Sequence, residues 1–251
     1  MSDTQKKIKS NRRFRLFPTG HMPKVDAHCH AFALEDFGRL RRRMTRGGIT
    51  LGIKIGGFTA ICGPSGSGKT TILNLVGALD RPTSGTVTIE GNDLGTLTRR
   101  ELSQIRRDRI GFVFQSYNLM PVLTAYENTE IVMWVQGIEF ERRRNRALSL
   151  LKEVGLEGLE DRLPSELSGG QQQRVAIARA IATNPAVVLA DEPTANVDSE
   201  TADKLLSIME RLNRDHGVTF IFSTHDPRVM NRAHRLIRLV DGRVESDEKR
   251  N

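Results

Sequence analysis

Cysteine is nearly absent: Cys29 and Cys62 are the only two in 251 residues. That is no disulfide framework, and the scarcity fits a reducing compartment. Long apolar runs are missing as well. The longest uninterrupted one covers about five residues, Ala186 to Ala190, against the roughly 20 that cross a bilayer. The N-terminus has no apolar stretch of signal-peptide length ahead of a small-residue cleavage site. A chain soluble by itself is expected. There is neither an internal repeat nor a low-complexity tract. The length allows one large domain or two small ones. Folds of this size bury roughly 75% of their unfolded surface, so core size is not limiting.

Net charge is also missing from most of the chain. Residues 1–46 hold 12 Lys/Arg against 4 Asp/Glu, and residues 47–251 hold 26 of each. The formal excess of +8 therefore lies wholly in the first 46 residues. Residues 1–48 read as a basic N-terminal extension, either solvated and poorly ordered or able to touch acidic lipid or nucleic acid. His28, Cys29 and His30 sit side by side in it, but three adjacent ligands rarely close a tetrahedral metal site.

From about residue 49 strands and helices alternate. "FTAIC" (58–62) is a short apolar strand, followed by a glycine loop and a helix expected over Lys69 to about Leu79. "RPTSG" (81–85) is a turn by composition, and "TVTIEG" after it alternates like a strand. "RIGFVFQ" (109–115) is another strand. Residues 124–162 carry helical spacing that places Ala147, Leu148, Leu151 and Val154 on one face, and Pro164 closes this insert. A helix from Gln171, the strand "AVVLAD" (186–191), a helix over 199–214 and the strand "VTFIFST" (218–224) follow. "RLIRLVDGRV" (235–244) is a hairpin turning at Asp241-Gly242. Such alternation predicts an α/β fold with a mostly parallel sheet covered on both faces, and the stretch at about 116–166 reads as a helical subdomain.

Gly63-Pro64-Ser65-Gly66-Ser67-Gly68-Lys69-Thr70 matches GxxxxGK[ST] between a strand and a helix, with Thr71 next. Glycines let backbone N–H groups curl around phosphate oxygens, and the helix N-terminus adds its positive end. Lys69 would reach the β/γ-phosphates, and the Thr70 hydroxyl would ligate Mg²⁺. In "AVVLADEP" an apolar strand ends in Asp191, placed to hold the Mg²⁺ shell. Glu192 follows and, by the period-2 geometry of a strand, faces elsewhere. It is a general base for an attacking water, unless the acid pair is a simple strand end. His225 and Gln115 end strands on the edge where open parallel sheets bind ligands. His225 is either a surface histidine or a contact to the γ-phosphate, the water or Glu192. Gln115 is either a strand-end amide or a contact to Mg²⁺ or water. A second glycine stretch, "LSGGQQQR" (167–174), has Ser168 as a helix N-cap and leaves the amides after Gly169 and Gly170 bare. It either merely breaks the chain or makes a second anion-binding helix start.

Six stretches stand in the order found in ATP-binding subunits of ABC transporters: "GPSGSGKTT" (63–71), "FQSYN" (114–118), "LSGGQQQR", "VVLADEP", "ANVD" (195–198) and "STHD" (223–226). The resemblance runs over about residues 49–244, roughly four fifths of the chain. It implies a P-loop NTPase with a parallel core, an antiparallel β region and a helical subdomain. By this resemblance Gln115 is the Q-loop glutamine, and Ser168, Gly169, Gly170 and Gln171 form the signature. Asp198 closes the D-loop, Glu192 is the catalytic carboxylate and His225 the switch histidine. ATP and Mg²⁺ would sit on one subunit and be covered by the signature of another, which implies a homodimer. An integral membrane permease would be the partner, with the chain peripheral on the cytoplasmic face of the cell membrane. "GALDRPTSG", "RIGFVFQSYNLMPVLTAYEN" and "LADEPTANVDS" are similar to the branch serving lipoprotein release, macrolide export and cell division.

Some positions depart from the family pattern. Ala195 and Val197 stand where Gly and Leu are usual, and Gly57 where Glu is usual. No Tyr precedes Tyr117 to stack on adenine, so Phe37 is the nearest substitute, with Phe32 behind it. Such a stack is worth about 0.5–1.5 kcal/mol beyond area burial. Tyr117, Leu119, Met120, Leu123 and Trp134 are either core or a surface for the membrane partner. The rival reading is a non-transport ABC ATPase, regulatory or associated with nucleic acid. Translation proteins of that kind carry two cassettes, and repair ATPases a long coiled coil. Neither feature is found here, so nucleic acid is not the expected partner.

Overall fold

The computed structural model describes residues 28–34 and 49–250. Its centre is a six-stranded sheet of β3 (Phe58–Cys62), β6 (Ile110–Val113), β7 (Val187–Asp191), β8 (Phe220–Ser223), β9 (Arg235–Val240) and β10 (Arg243–Lys249). The order is β10-β9-β3-β8-β7-β6, and every neighbouring pair is parallel except β9–β10. That pair is the expected hairpin. Asp241 and Gly242 at its turn both have positive φ, 46° and 70°, as a tight primed turn requires.

The parallel strands are buried on both faces, which explains their unbroken apolar runs. Phe58, Ala60, Val188, Ala190, Phe220 and Phe222 point to one core, and Ile61, Val187, Leu189 and Ile221 to the other. The Phe58 ring lies 4.7 Å from that of Phe222 and 5.7 Å from that of Phe220. Burying each such side chain contributes about 1.5–3 kcal/mol, so the strand ends that carry the site stand on a firm floor. Against this first core pack α3 (Ala125–Val135), α4 (Phe140–Glu153), α5 (Gly169–Ile181) and α6 (Ser199–His216). The other face is covered by α1 (Lys69–Val76), α2 (Arg99–Arg109) and a second sheet. The short helix α7 (Pro227–Arg232) follows β8.

The second sheet runs β2 (Ile49–Ile53), β1 (His28–Leu34), β4 (Ser84–Ile89), β5 (Asn92–Asp93). β1 is parallel to both neighbours, with Phe32 opposite Leu51 and Val87, and β4–β5 is antiparallel. Residues 1–48 do not read as opening strands in the sequence, yet one segment of them fills the ladder between β2 and β4. Its backbone satisfies N–H and C=O groups that two separate edges would leave open. The rest of the basic stretch and Phe37 lie outside the described residues, and of Phe32 only the strand backbone is described.

Several helices differ from expectation at identifiable points. α1 stops at Val76 rather than near Leu79, because the amides of Leu79 and Asp80 both turn back to the Asn74 carbonyl. α5 begins at Gly169, two residues before Gln171, since the Ser168 side chain accepts from the Gln171 amide. On α4 it is Leu150, not Leu148, that joins Ala147 and Leu151 in the core. α2 has almost no apolar periodicity and buries only Leu102; its start is set by a Thr98–Glu101 capping box.

Candidate functional site

Three chain segments meet where β3, β7 and β8 end. Strand register sets them side by side: Ile61 pairs with Ser223, and Ser223 with Asp191. The loop at 63–68 leaves β3, Glu192 leaves β7 and Thr224-His225 leave β8. The Thr224 amide donates to the Ile61 carbonyl at 3.0 Å, and the Glu192 amide to the Ser223 carbonyl at 2.9 Å. Binding elements at the C-terminal edge of a parallel sheet follow from this layout.

The first glycine loop is built as an open cradle. Gly63 has φ +151°, and a Cβ there would lie 2.1 Å from the Leu239 carbonyl oxygen, so no larger residue fits. Gly68, the N-cap of α1, is left-handed and supplies no side-chain cap, and the first turn holds no acid. The leading amides of α1 are therefore left for an outside anion. Lys69 Nζ donates to the carbonyls of Gly63 at 2.8 Å and Pro64 at 2.9 Å, which holds the ammonium over the loop. The Ser67 hydroxyl is buried without a partner in the protein, the mark of a cradle made for a polar group. Ser65, Gly66 and Thr70 are exposed and Thr71 is half-buried.

Asp191 is half-buried at the end of β7. Burial pushes its carboxyl above the usual range, while Ser223 and the Lys69 ammonium pull it back and the Glu192 carboxylate adds to the rise. A cation beside it would remove that penalty, so Thr70, Asp191 and the empty-handed α1 start fit a Mg²⁺-bound phosphate. Glu192 adopts a left-handed backbone, φ 45°. One carboxylate oxygen contacts His225 Nδ1 at 2.6 Å and the other accepts from the Thr224 hydroxyl at 3.2 Å.

Gln115 stands at the same end of the sheet, since Val113 of β6 pairs with Ala190 of β7. It is exposed just past β6, its Nε2 donating to Asn196 Oδ1 at 3.4 Å while Asn196 Nδ2 donates to its carbonyl at 2.9 Å. These two bonds tie Gln115 to the 195–198 segment. Asn196 also accepts, through its carbonyl, from the Tyr117 hydroxyl at 3.2 Å.

The second glycine stretch is a capped helix start. Ser168 and Gln171 form a reciprocal capping box, at 3.3 and 2.8 Å. Its glycines are explained by clearance. A Cβ on Gly169 would lie 2.7 Å from the Tyr117 hydroxyl, and one on Gly170 would lie 2.3 Å from Thr201 Cγ2. Asp198 caps α6 by accepting from the Thr201 amide at 2.9 Å and its hydroxyl at 2.6 Å, and these bonds hold its carboxyl below the usual range.

Two side chains that sequence reasoning missed, buried Gln173 and half-buried Arg179, tie α5 to this surface. Gln173 Nε2 donates to the Pro193 carbonyl at 2.7 Å. Arg179 donates to the carbonyls of Asn118 at 2.6 Å and Tyr117 at 2.9 Å, two residues with left-handed backbones. Burial pushes the Arg179 guanidinium down to about 10. A half-buried cation facing the carbonyls of two left-handed residues is visible only in three dimensions. Its sequence trace is just an Arg inside an apolar helical run. A charged cleft of about 600 Å³ near α4, α5 and α6, lined by residues including Glu153, Arg174 and Arg211, contains none of the predicted site residues.

Comparison with known proteins gives consistent findings. A model of the ABC transporter family matches residues 47–195. An uncharacterized ABC transporter ATP-binding protein of Methanocaldococcus jannaschii is 49% identical over 205 residues, covering 80% of this chain and 87% of its own. The lipoprotein-releasing system ATP-binding protein of Anaeromyxobacter dehalogenans is 47% identical over 80% of this chain and 84% of its own. The macrolide export ATP-binding/permease protein of Syntrophobacter fumaroxidans is 47% identical over 80% of this chain but 28% of its own. Among solved structures, a dimeric post-hydrolysis ATP-binding cassette bound to ADP and phosphate superposes with TM-score 0.74 at 46% identity, covering 84% of this chain and 95% of that one.

Proposed function

The chain belongs to the ABC transporter family, and from that premise we propose that it hydrolyses ATP as a homodimer to drive a separate integral membrane permease. Each ATP is shared between two copies. One copy supplies the phosphate loop, residues 63–71, and the other covers it with Ser168, Gly169, Gly170 and Gln171, beside Asp198. The observation that carries this reading is the seating of the two glycine-rich helix starts. The phosphate loop rests on the β9–β10 hairpin, Gly63 against Leu239 and the Ser67 carbonyl accepting from the Gly242 amide at 3.1 Å. The signature rests on Tyr117, Asn196 and Thr201. Two such starts on different elements suit two nucleotides at a dimer interface, in keeping with the dimeric cassette of similar fold.

In the working site Lys69 exchanges its two loop carbonyls for phosphate oxygens. Thr70 and Asp191, with Gln115 on reorientation away from Asn196, would hold Mg²⁺, which offsets phosphate charge when bound. Glu192 accepts the proton of the attacking water, a role that typically contributes 10²–10⁴-fold. His225, at 2.6 Å from that carboxylate, orients it.

The similarity to a lipoprotein-releasing system ATP-binding protein, matched over 84% of its length, supports a permease carried by a separate protein, whereas the macrolide-export relative holds ATP-binding and permease parts in one chain. Among the described residues no helix is long and apolar enough to cross a membrane; the permease would hold the chain on the cytoplasmic face. Leu119 packs against the core, whereas Val122 and Trp134, 77% and 59% exposed, are left for the permease.

Glu192→Gln should trap an ATP-bound dimer and lower turnover by about 10²–10⁴-fold. Light scattering on the gel-filtered variant, with saturating ATP and Mg²⁺, checks this; a variant that stays monomeric sinks the shared-site reading.

A further inference from the structure

Two residues hold the Glu192 carboxylate, and their surroundings are opposite. The His225 side chain is 76% exposed, whereas Thr224 is fully buried, at 0%. The Thr224 hydroxyl also has its orientation decided for it. Its oxygen accepts from the Asp226 amide at 3.0 Å. A hydroxyl has one proton and two lone pairs. With the amide on one side, the proton points at Glu192 Oε2, 3.2 Å away.

The frame around this hydroxyl is tied down on every side. The Thr224 amide is bound to the Ile61 carbonyl at the end of β3. The Asp226 carboxylate accepts from the buried Thr194 hydroxyl at 2.7 Å and from the Arg228 guanidinium at 2.8 Å. Thr194 lies two residues after Glu192, so the segments 192–194 and 224–226 are cross-linked on both flanks of the carboxylate. A carboxylate held at one oxygen swings about its terminal torsion, which is broad. Held at two, its plane is fixed.

We infer that Thr224 is a positioning residue for ATP hydrolysis: it keeps the Glu192 carboxylate aimed when the exposed His225 ring turns towards the nucleotide. The inference rests on Glu192 being the general base. Thr224 does not touch substrate and transfers no proton; it fixes the direction from which Glu192 accepts one.

Three full-length variants test this by steady-state hydrolysis of Mg·ATP together with equilibrium ATP binding. Thr224→Val removes the hydroxyl at nearly constant shape and should lower kcat about tenfold, the scale of one lost hydrogen bond to a charged group. KM and ATP affinity should stay at the parental values. Thr224→Ser keeps the hydroxyl and should restore kcat to within about twofold. Glu192→Gln run alongside separates the two readings. If Glu192→Gln is inactive and Thr224→Val turns over at the parental rate, the Thr224 role is wrong and the base stands. If Glu192→Gln hydrolyses ATP normally, the base reading falls and the Thr224 role with it. A Thr224→Val variant that loses ATP affinity in step with kcat, or a serine variant that fails to recover, would mean the side chain serves packing alone and would overturn the inference.

Discussion

The helix starts at α1 and α5 share a composition, with glycines, a serine and a polar residue opening a helix. They solve different physical problems. At α1 the glycines are conformational: Gly68 has φ 99° and no cap follows it, so the amides wait for an anion. At α5 Ser168 and Gln171 cap each other, and Gly169 and Gly170 make room for Tyr117 and Thr201. The first start is incomplete without a ligand. The second is capped at Gln171 and offers a low, side-chain-free surface to whatever meets it. Glycine content alone cannot distinguish a cradle from a lid.

The comparison can be broken most severely at its first member. Gly63→Ala puts a Cβ 2.1 Å from the backbone oxygen of Leu239, which cannot step aside. A loss of about 3 kcal/mol in chemical denaturation and no measurable ATP hydrolysis are expected.

Gly170→Ala meets a side chain instead, Thr201 Cγ2 at 2.3 Å. A smaller destabilisation, about 2 kcal/mol, and loss of the ATP-induced dimer should follow. Adding Thr201→Ser removes that methyl and keeps the hydroxyl that bonds Asp198. If stability returns in this double variant while dimerisation does not, the glycine also serves the facing subunit. If both return, clearance is its whole role.

Ser168→Ala is the mildest change. It removes one cap, worth about 1 kcal/mol of stability, measurable as a shifted urea midpoint. Hydrolysis that falls further than this while ATP binding holds would place the hydroxyl in the shared site; equal small losses would leave it a cap.

Legibility in the sequence followed the same division. The phosphate loop, the strand ending in Asp191 and the Asp241-Gly242 turn could be read directly, because each depends on residues adjacent in the chain. α2 could not, since Arg99–Arg109 buries only Leu102 and shows no apolar stripe. The Thr98–Glu101 box was its one local signal. Gln115 was legible as a strand-end amide on the ligand edge, but its partner Asn196 lies 81 residues away. Leu148 and Leu150 differ by two positions on α4, and which one faces the core depends on how α4 lies against its neighbours. Likewise the strand at 28–34 carries a weak pattern inside a charged stretch, and only the gap between β2 and β4 gives it a place.

By itself, the sequence determined the family, the parallel α/β core and the residue types at the phosphate site, since local spacing and order encode them. Tertiary structure decided which side chains touch: that Glu192 is held by both His225 and Thr224, that Gln115 rests on Asn196, and that Gly169 and Gly170 lie against Tyr117 and Thr201. Those contacts join segments from different strands, whose register is set by the packing of two cores and by no single stretch of the chain.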